Sequence, residues 1–145
     1  MKYHTVHADI WEDEKFIELS PIEKLLFLYL FSNRRCPPSG IYKLSKNTIS
    51  FELGIDLDSV KSSIKNLISV GLIAHDKSKN GFWIKGKIKH HKASFKDYMT
   101  IKSITNDLNS FIGASWHQSF FDSYPEFIDI GIQLEDMKKL RYGKS

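Results

Sequence analysis

Eight lysines, Lys61, Lys65, Lys77, Lys79, Lys85, Lys87, Lys89 and Lys92, stand against a single acidic side chain in residues 59–92. Residues 1–58 carry seven basic against nine acidic groups and residues 93–145 six against seven, so the net charge of +4 arises in that one stretch. Ammonium groups gathered in this way neutralise phosphates, and a basic patch confined to one element is the electrostatic footprint of a nucleic-acid binder. The competing reading is a lysine-covered solvated face that keeps the chain soluble. Ser59, Ser62 and Asn66 are interleaved with these lysines and are of the types that hydrogen-bond base edges.

Other chemistries find no constellation. There is no glycine-rich loop ending in Lys-Ser or Lys-Thr at the phosphate-cradling spacing, so ATP hydrolysis of the usual kind is not expected. Of the six histidines, His4 and His7 are three apart and His90 and His91 are adjacent; adjacent side chains diverge, and neither Cys-x-x-Cys nor His-Glu-x-x-His occurs. Cys36 follows Arg34 and Arg35, which would lower a thiol pKa, yet no base or orienting partner can be picked out, so it reads as a plain loop cysteine. Asp9, Glu12, Asp13 and Glu14 could be a nuclease carboxylate cluster but are explained by an acidic solvated segment. The expectation is a binding protein with no enzymatic activity, metal or cofactor.

The lysines are positioned by residues 45–86. A short helix over about Lys46 to Leu53 ends at Gly54, which can take positive φ and turn the chain toward Asp56, an N-cap for a second helix running to Val70. Asp58 suits the positive end of that helix. Val60, Ile64, Leu67 and Ile68 line its core face, and Ser59, Lys61, Ser62, Lys65, Asn66 and Ser69 its polar face. Gly71 is a C-terminal left-handed stop, Leu72-Ile73-Ala74 is strand-like, and Asn80-Gly81 before Phe82-Trp83-Ile84 is the strongest short-range hairpin signal. Helix, turn, helix and hairpin together read as a winged helix-turn-helix. Its second helix would enter the major groove, with Ser59, Ser62 and Asn66 near bases and Lys61 and Lys65 on phosphates. Lys77, Lys79 and Asn80 at the wing tip would touch backbone across the minor groove, with Lys85 and Lys87 adding charge on the strand leaving it.

Upstream, Ile10, Trp11, Phe16 and Ile17 mark an extended or briefly helical lead-in whose aromatics pack on the domain. Ser20-Pro21-Ile22-Glu23 is a capping box with proline at the first helical position. The helix it opens is apolar nearly all round from Leu25 to Phe31 and reads as the central buried helix. Residues 33–39 form an exposed loop, and Gly40-Ile41-Tyr42 a short strand pairing with the wing. Residues 1–15 hold no apolar run, so neither a signal peptide nor a spanning helix is expected there. One cysteine forms no internal disulfide, which fits the cytoplasm. The fold class is therefore mainly α with a small β-hairpin: a winged-helix domain over residues 1–92 and a helical extension over 93–145.

Within the first domain, Ile10-Trp11-Glu12-Asp13-Glu14-Lys15, Leu19-Ser20-Pro21, Leu25-Leu26-Phe27-Leu28-Tyr29-Leu30, Gly40-Ile41-Tyr42, Phe51-Glu52-Leu53-Gly54 and Gly71-Leu72-Ile73 resemble the N-terminal domain of phage and prophage replication organisers, grouped with DnaD-like replication-initiation proteins. The resemblance covers residues 9 to about 92. It implies a protein that binds origin DNA and helps recruit or load the replicative helicase. The chain departs from the family at Lys89-His90-His91, where a Lys-Tyr-Asn is common, and many relatives continue into a longer C-terminal region.

In the extension, residues 93–97 read as a linker. Tyr98, Ile101, Ile104, Leu108, Phe111 and Ile112 follow helical spacing up to a stop at Gly113. Trp116, Phe120 and Tyr124 recur by four on a second short helix ended by Pro125. Such short, one-sided helices must pack on the first domain or on a partner chain, which makes them a candidate oligomerisation surface. Residues 128–140 fit either a strand through Ile128, Ile130, Ile132 and Leu134 or a helix through Leu134, Met137 and Leu140. The functional expectation is DNA binding in phage-type replication initiation. The alternatives are a winged-helix transcriptional regulator and a protein-interaction module whose basic face meets an acidic partner. DNA, a helicase or its loader and a second copy of the chain are the expected partners, with no membrane.

Overall fold

The structure, a computed structural model, describes residues 3–88, 98–125 and 127. A 3-10 turn over Ala8–Glu12 leads into a single helical turn, α1 (Glu14–Ile17), capped by the Asp13 carboxylate, which accepts from the Lys15 and Phe16 amides at 2.9 and 3.1 Å. That cap drives Phe16 fully into the core, with the half-exposed Trp11 ring edge-on to it at 5.2 Å.

The capping box at Ser20 is formed in both directions, and α2 runs over Pro21–Ser32. Its apolar residues are not all buried. Leu26, Phe27, Leu30 and Phe31 face the core, whereas Ile22 and Leu25 are 41% and 46% exposed. A helix at the edge of a core can cover only one stripe. The loop that follows is less exposed than its composition suggests, since Cys36 and Ser39 are completely buried. The Ser39 hydroxyl accepts from the Ile41 amide and donates to Asp107, whose carboxyl is pushed up by burial.

β1 (Ile41–Lys43), β2 (Ile73–Asp76) and β3 (Gly81–Ile84) form an antiparallel sheet in the order β1-β3-β2. Ile41 pairs with Trp83 on one side of β3, and Ala74 with Trp83 on the other. Alternation sends Tyr42, Phe82, Ile84 and Ile73 into a core shared with α2, α3 (Lys46–Leu53) and α4 (Leu57–Ser69). Ile41 and Trp83 point the opposite way. There they meet Ile104 and Leu108 of α5 (Tyr98–Asn109), Phe120 of α6 (His117–Ser123), and Phe111, Trp116, Tyr124 and Phe127. Every residue of β3 is therefore buried. The protein is mainly helical, with a three-stranded antiparallel sheet between two helical layers. The extension is packed on the same chain, and residues 93–97 and 128–145 lie outside the described residues.

The hairpin turn is longer than a two-residue Asn-Gly connection. Lys77–Asn80 form it, Asn80 carries the positive φ of 49°, and Gly81 is already the first residue of β3. Gly81 is required for space. A Cβ built there lies 2.6 and 2.7 Å from Phe111 ring carbons. Gly81→Ala should therefore destabilise the protein by about 1–3 kcal/mol, the usual cost of overpacking, read as a fall in the thermal midpoint.

Candidate nucleic-acid interface

Two local devices set the position of α4. Gly54 adopts φ 69°, turning the chain sharply out of α3 with open space around it. The Asp56 carboxylate then accepts from the Ser59 amide at 2.9 Å and the Ser59 hydroxyl at 2.6 Å, which holds its pKa below the usual carboxylate range. At the other end Gly71 is left-handed and the Leu72 amide returns to the Leu67 carbonyl at 3.1 Å. The chain leaves directly into β2, which lays the hairpin along one flank of α4.

Between that flank, the first turn of α3 and the hairpin lies an open groove of about 760 Å³. Lys46 and Asn47 line it from α3, Lys61 and Lys65 from α4, and His75, Lys77 and Asn80 from the hairpin. Leu57, Ile64 and Ile68 supply its apolar wall. Lys61, Lys65 and Lys77 are exposed. Partial burial lowers the Lys46 pKa, and the ammonium groups of Lys77 and Lys61 lower it further, so these cations feel one another. The His75 ring packs against Phe82 at 4.4 Å between centroids, tilted by 47°, and its buried Nε2 has no hydrogen-bond partner. Burial pushes its pKa down to about 4, with repulsion from Lys46 next in size, so the ring is neutral at pH 7.

The sequence-derived contact residues separate in space. Lys61, Lys65, Lys77 and Asn80 come together in the groove. Successive residues on a helix turn by about 100°, which places Ser59 and Asn66 on the far flank of α4 and Ser62 on the crest between; none of the three lines the groove. The Ser59 hydroxyl is committed to the Asp56 cap, and that of Ser62 donates to the Ser59 carbonyl at 3.2 Å. Lys79 is exposed at the turn, away from the groove and beside Gly113. Lys85 lies over the Trp83 ring at 5.3 Å and lines a different cavity, of about 570 Å³, with Lys15, Gly71 and Leu72.

Lys87 is a correction. It is 2% exposed, its Nζ donates to the Phe31 carbonyl at 2.9 Å and sits 2.8 Å from His4 Nδ1, and it lies 4.3 Å over the Phe31 ring. It ties the N-terminal segment to the end of α2 and presents no charge to solvent. Lys89 and Lys92 lie outside the described residues. Lys46 and His75 were missed from the sequence. The only signal for Lys46 was its place directly after the Ser45 cap of α3, and His75 carried none, because its partners come from other elements.

The hairpin is also braced from behind. The Asp76 carboxylate accepts from the Ser78 hydroxyl at 2.8 Å, the Lys79 amide at 3.1 Å and the Ser115 amide at 3.3 Å, and Trp116 Nε1 donates to the Gly81 carbonyl at 3.1 Å. On the outer side of α3, Glu52 pairs with Arg35 at 2.7 Å and accepts from the Tyr29 hydroxyl. Among the described residues no group of three or more His, Cys, Asp or Glu side chains is arranged to hold a metal ion, and no helix is long and apolar enough to cross a membrane. No protein-family model matches the chain, and no curated protein or solved structure does either.

Proposed function

We propose that this chain is a cytoplasmic DNA-binding protein of phage-type replication initiation, non-enzymatic, in which α2–α4 and the sheet form a winged helix that grips duplex DNA between α4 and the hairpin. The observation that carries DNA binding is the convergence of Lys46, Lys61, Lys65 and Lys77 on one groove from three separate elements. Surface lysines spread for solubility have no reason to meet. A phosphate backbone does bring such groups together, and the Asn47 and Asn80 side chains beside them add neutral donors. Replication is supported by the resemblance of residues 9 to about 92 to replication organisers, and the same resemblance suggests the replicative helicase or its loader as a protein partner.

Four phosphate contacts imply a steep salt response. Duplex affinity should fall roughly a hundredfold between 50 and 200 mM monovalent salt. A titration by fluorescence anisotropy reads this directly, and an affinity indifferent to salt would exclude the mode.

A further inference from the structure

The groove between α4 and the hairpin differs from a plain phosphate-binding surface in having an apolar floor. Successive helical residues turn by about 100°, so Leu57, Ile64 and Ile68 share an arc of about 40° on α4, with Lys61 and Lys65 on its outer side and the buried Val60 and Leu67 on its inner side. Lys46, Lys77 and Asn80 stand across it. Leu57 is half-buried and Ile68 exposed, so the floor is open to a ligand over roughly 16 Å of the helix axis. A duplex gives such a floor little to bury. Its base faces are stacked on one another, and it presents phosphates, sugars and polar base edges. A strand without its complement has free base faces, and every base has one.

The placement of charge agrees. Lys61 and Lys65 are the only cations of α4 and both lie on its hairpin side, whereas the flank beyond Ser62 carries Ser59 and Asn66. The major groove of a duplex is about 12 Å wide, so a helix lying in it passes close to both phosphate backbones. With its cations on one flank, α4 is built to meet one. We propose that the groove prefers a single DNA strand, its phosphates along the lysines of the two walls and its unpaired bases on Leu57 and Ile68, and that a duplex engages the groove less fully, through one of its strands. This rests on the nucleic-acid reading above and names the form of DNA that the same site prefers.

The full chain is titrated by fluorescence anisotropy with a labelled mixed-sequence strand of about sixteen nucleotides, long enough to fill a single-strand site, and with the duplex that strand forms with its complement. Burial of the two aliphatic side chains should make the strand bind about tenfold more tightly than the duplex at 200 mM monovalent salt. Each neutralised phosphate contributes about 0.9 to the salt slope of a duplex and about 0.7 to that of a single strand, so with four contacts the preference should be roughly threefold smaller at 50 mM. Ile68→Gln keeps the lysines and makes the floor polar, and should lower the strand affinity roughly fivefold, narrowing the ratio. Lys61→Glu/Lys65→Glu should weaken both ligands. A duplex bound as tightly as the strand, or a ratio that Ile68→Gln leaves unchanged, overturns the proposal and leaves DNA binding standing. Strand binding that survives Lys61→Glu/Lys65→Glu puts the strand elsewhere and overturns it as well. Binding of neither form sinks the DNA reading and the proposal with it, as does tighter binding of polyglutamate than of either form, which would point to an acidic protein partner.

Discussion

Replacing Lys61 and Lys65 together by glutamate should weaken duplex binding on the order of a hundredfold or more at moderate salt, and should lower the salt slope by about two phosphate contacts. The expected size follows from their position. Both side chains stand one helical turn apart on the flank of α4 that faces the hairpin, so the double change turns two of four groove cations into anions that repel the backbone. Both are exposed and neither side chain makes a hydrogen bond among the described residues, so the thermal midpoint should move little. Lys87→Glu should behave in the opposite way. It places a carboxylate against the Phe31 carbonyl, where a buried charge without a partner is strongly destabilising. Loss of binding by Lys61→Glu/Lys65→Glu with an intact fold, and loss of fold by Lys87→Glu, would separate a charge that serves a ligand from one that serves the core. Unchanged binding by the double variant would remove α4 from the interface.

The second large effect concerns the extension. Truncation after Lys92 should abolish cooperative thermal unfolding, because it strips the covering layer from Trp83, Ile41 and Ile88, which are 0 to 1% exposed in the whole chain. Full burial of each such side chain is worth about 1.5–3 kcal/mol, so uncovering these three alone costs roughly 5–9 kcal/mol. That is comparable with the whole stability of a small protein, about 5–15 kcal/mol. The truncation also removes Ser115 and Trp116, which anchor the hairpin through Asp76 and the Gly81 carbonyl. A soluble fragment with an unchanged melting transition would show that the outer layer is an appendage after all. On the present packing it is half of what holds the sheet.

Much of the framework was legible because its determinants are local. The Ser20 capping box, the Asp56 cap, the positive φ at Gly54 and Gly71, and the strand-like Phe82-Trp83-Ile84 each act over four or five residues, and the structure places them as the sequence suggested. The order of helices and strands from α2 to β3 follows from those signals. What could not be read was which flank each side chain would face once the elements packed. The polar residues of α4 looked like one face; β2 leans along only one side of the helix, so Lys61 and Lys65 went to the groove, and Ser59 and Asn66 to the far side. Lys85 and Lys87 looked alike as lysines at the exit of a strand. The chain turns after Ile84, whose amide bonds the Gly40 carbonyl at 2.8 Å, and that turn drops Lys87 beneath Phe31. Ile22 and Leu25 misled in the other direction, because an all-apolar helix need not be covered all round. The amphipathic helices of the extension announced that they needed a partner. Only the alternation of Ile41 and Trp83 against Tyr42 and Phe82 showed that the partner was the back of the sheet.

Backbone amide NMR of the full chain, titrated with a random-sequence duplex at low salt, tests DNA recognition through this groove most directly. Perturbations should concentrate at Lys46, Asn47, Lys61, Lys65, His75, Lys77 and Asn80, leaving Lys87 and the Ile22–Tyr29 flank of α2 unaffected. Spectra that do not change, or changes that map to α2 or to α5 and α6 instead, would contradict it.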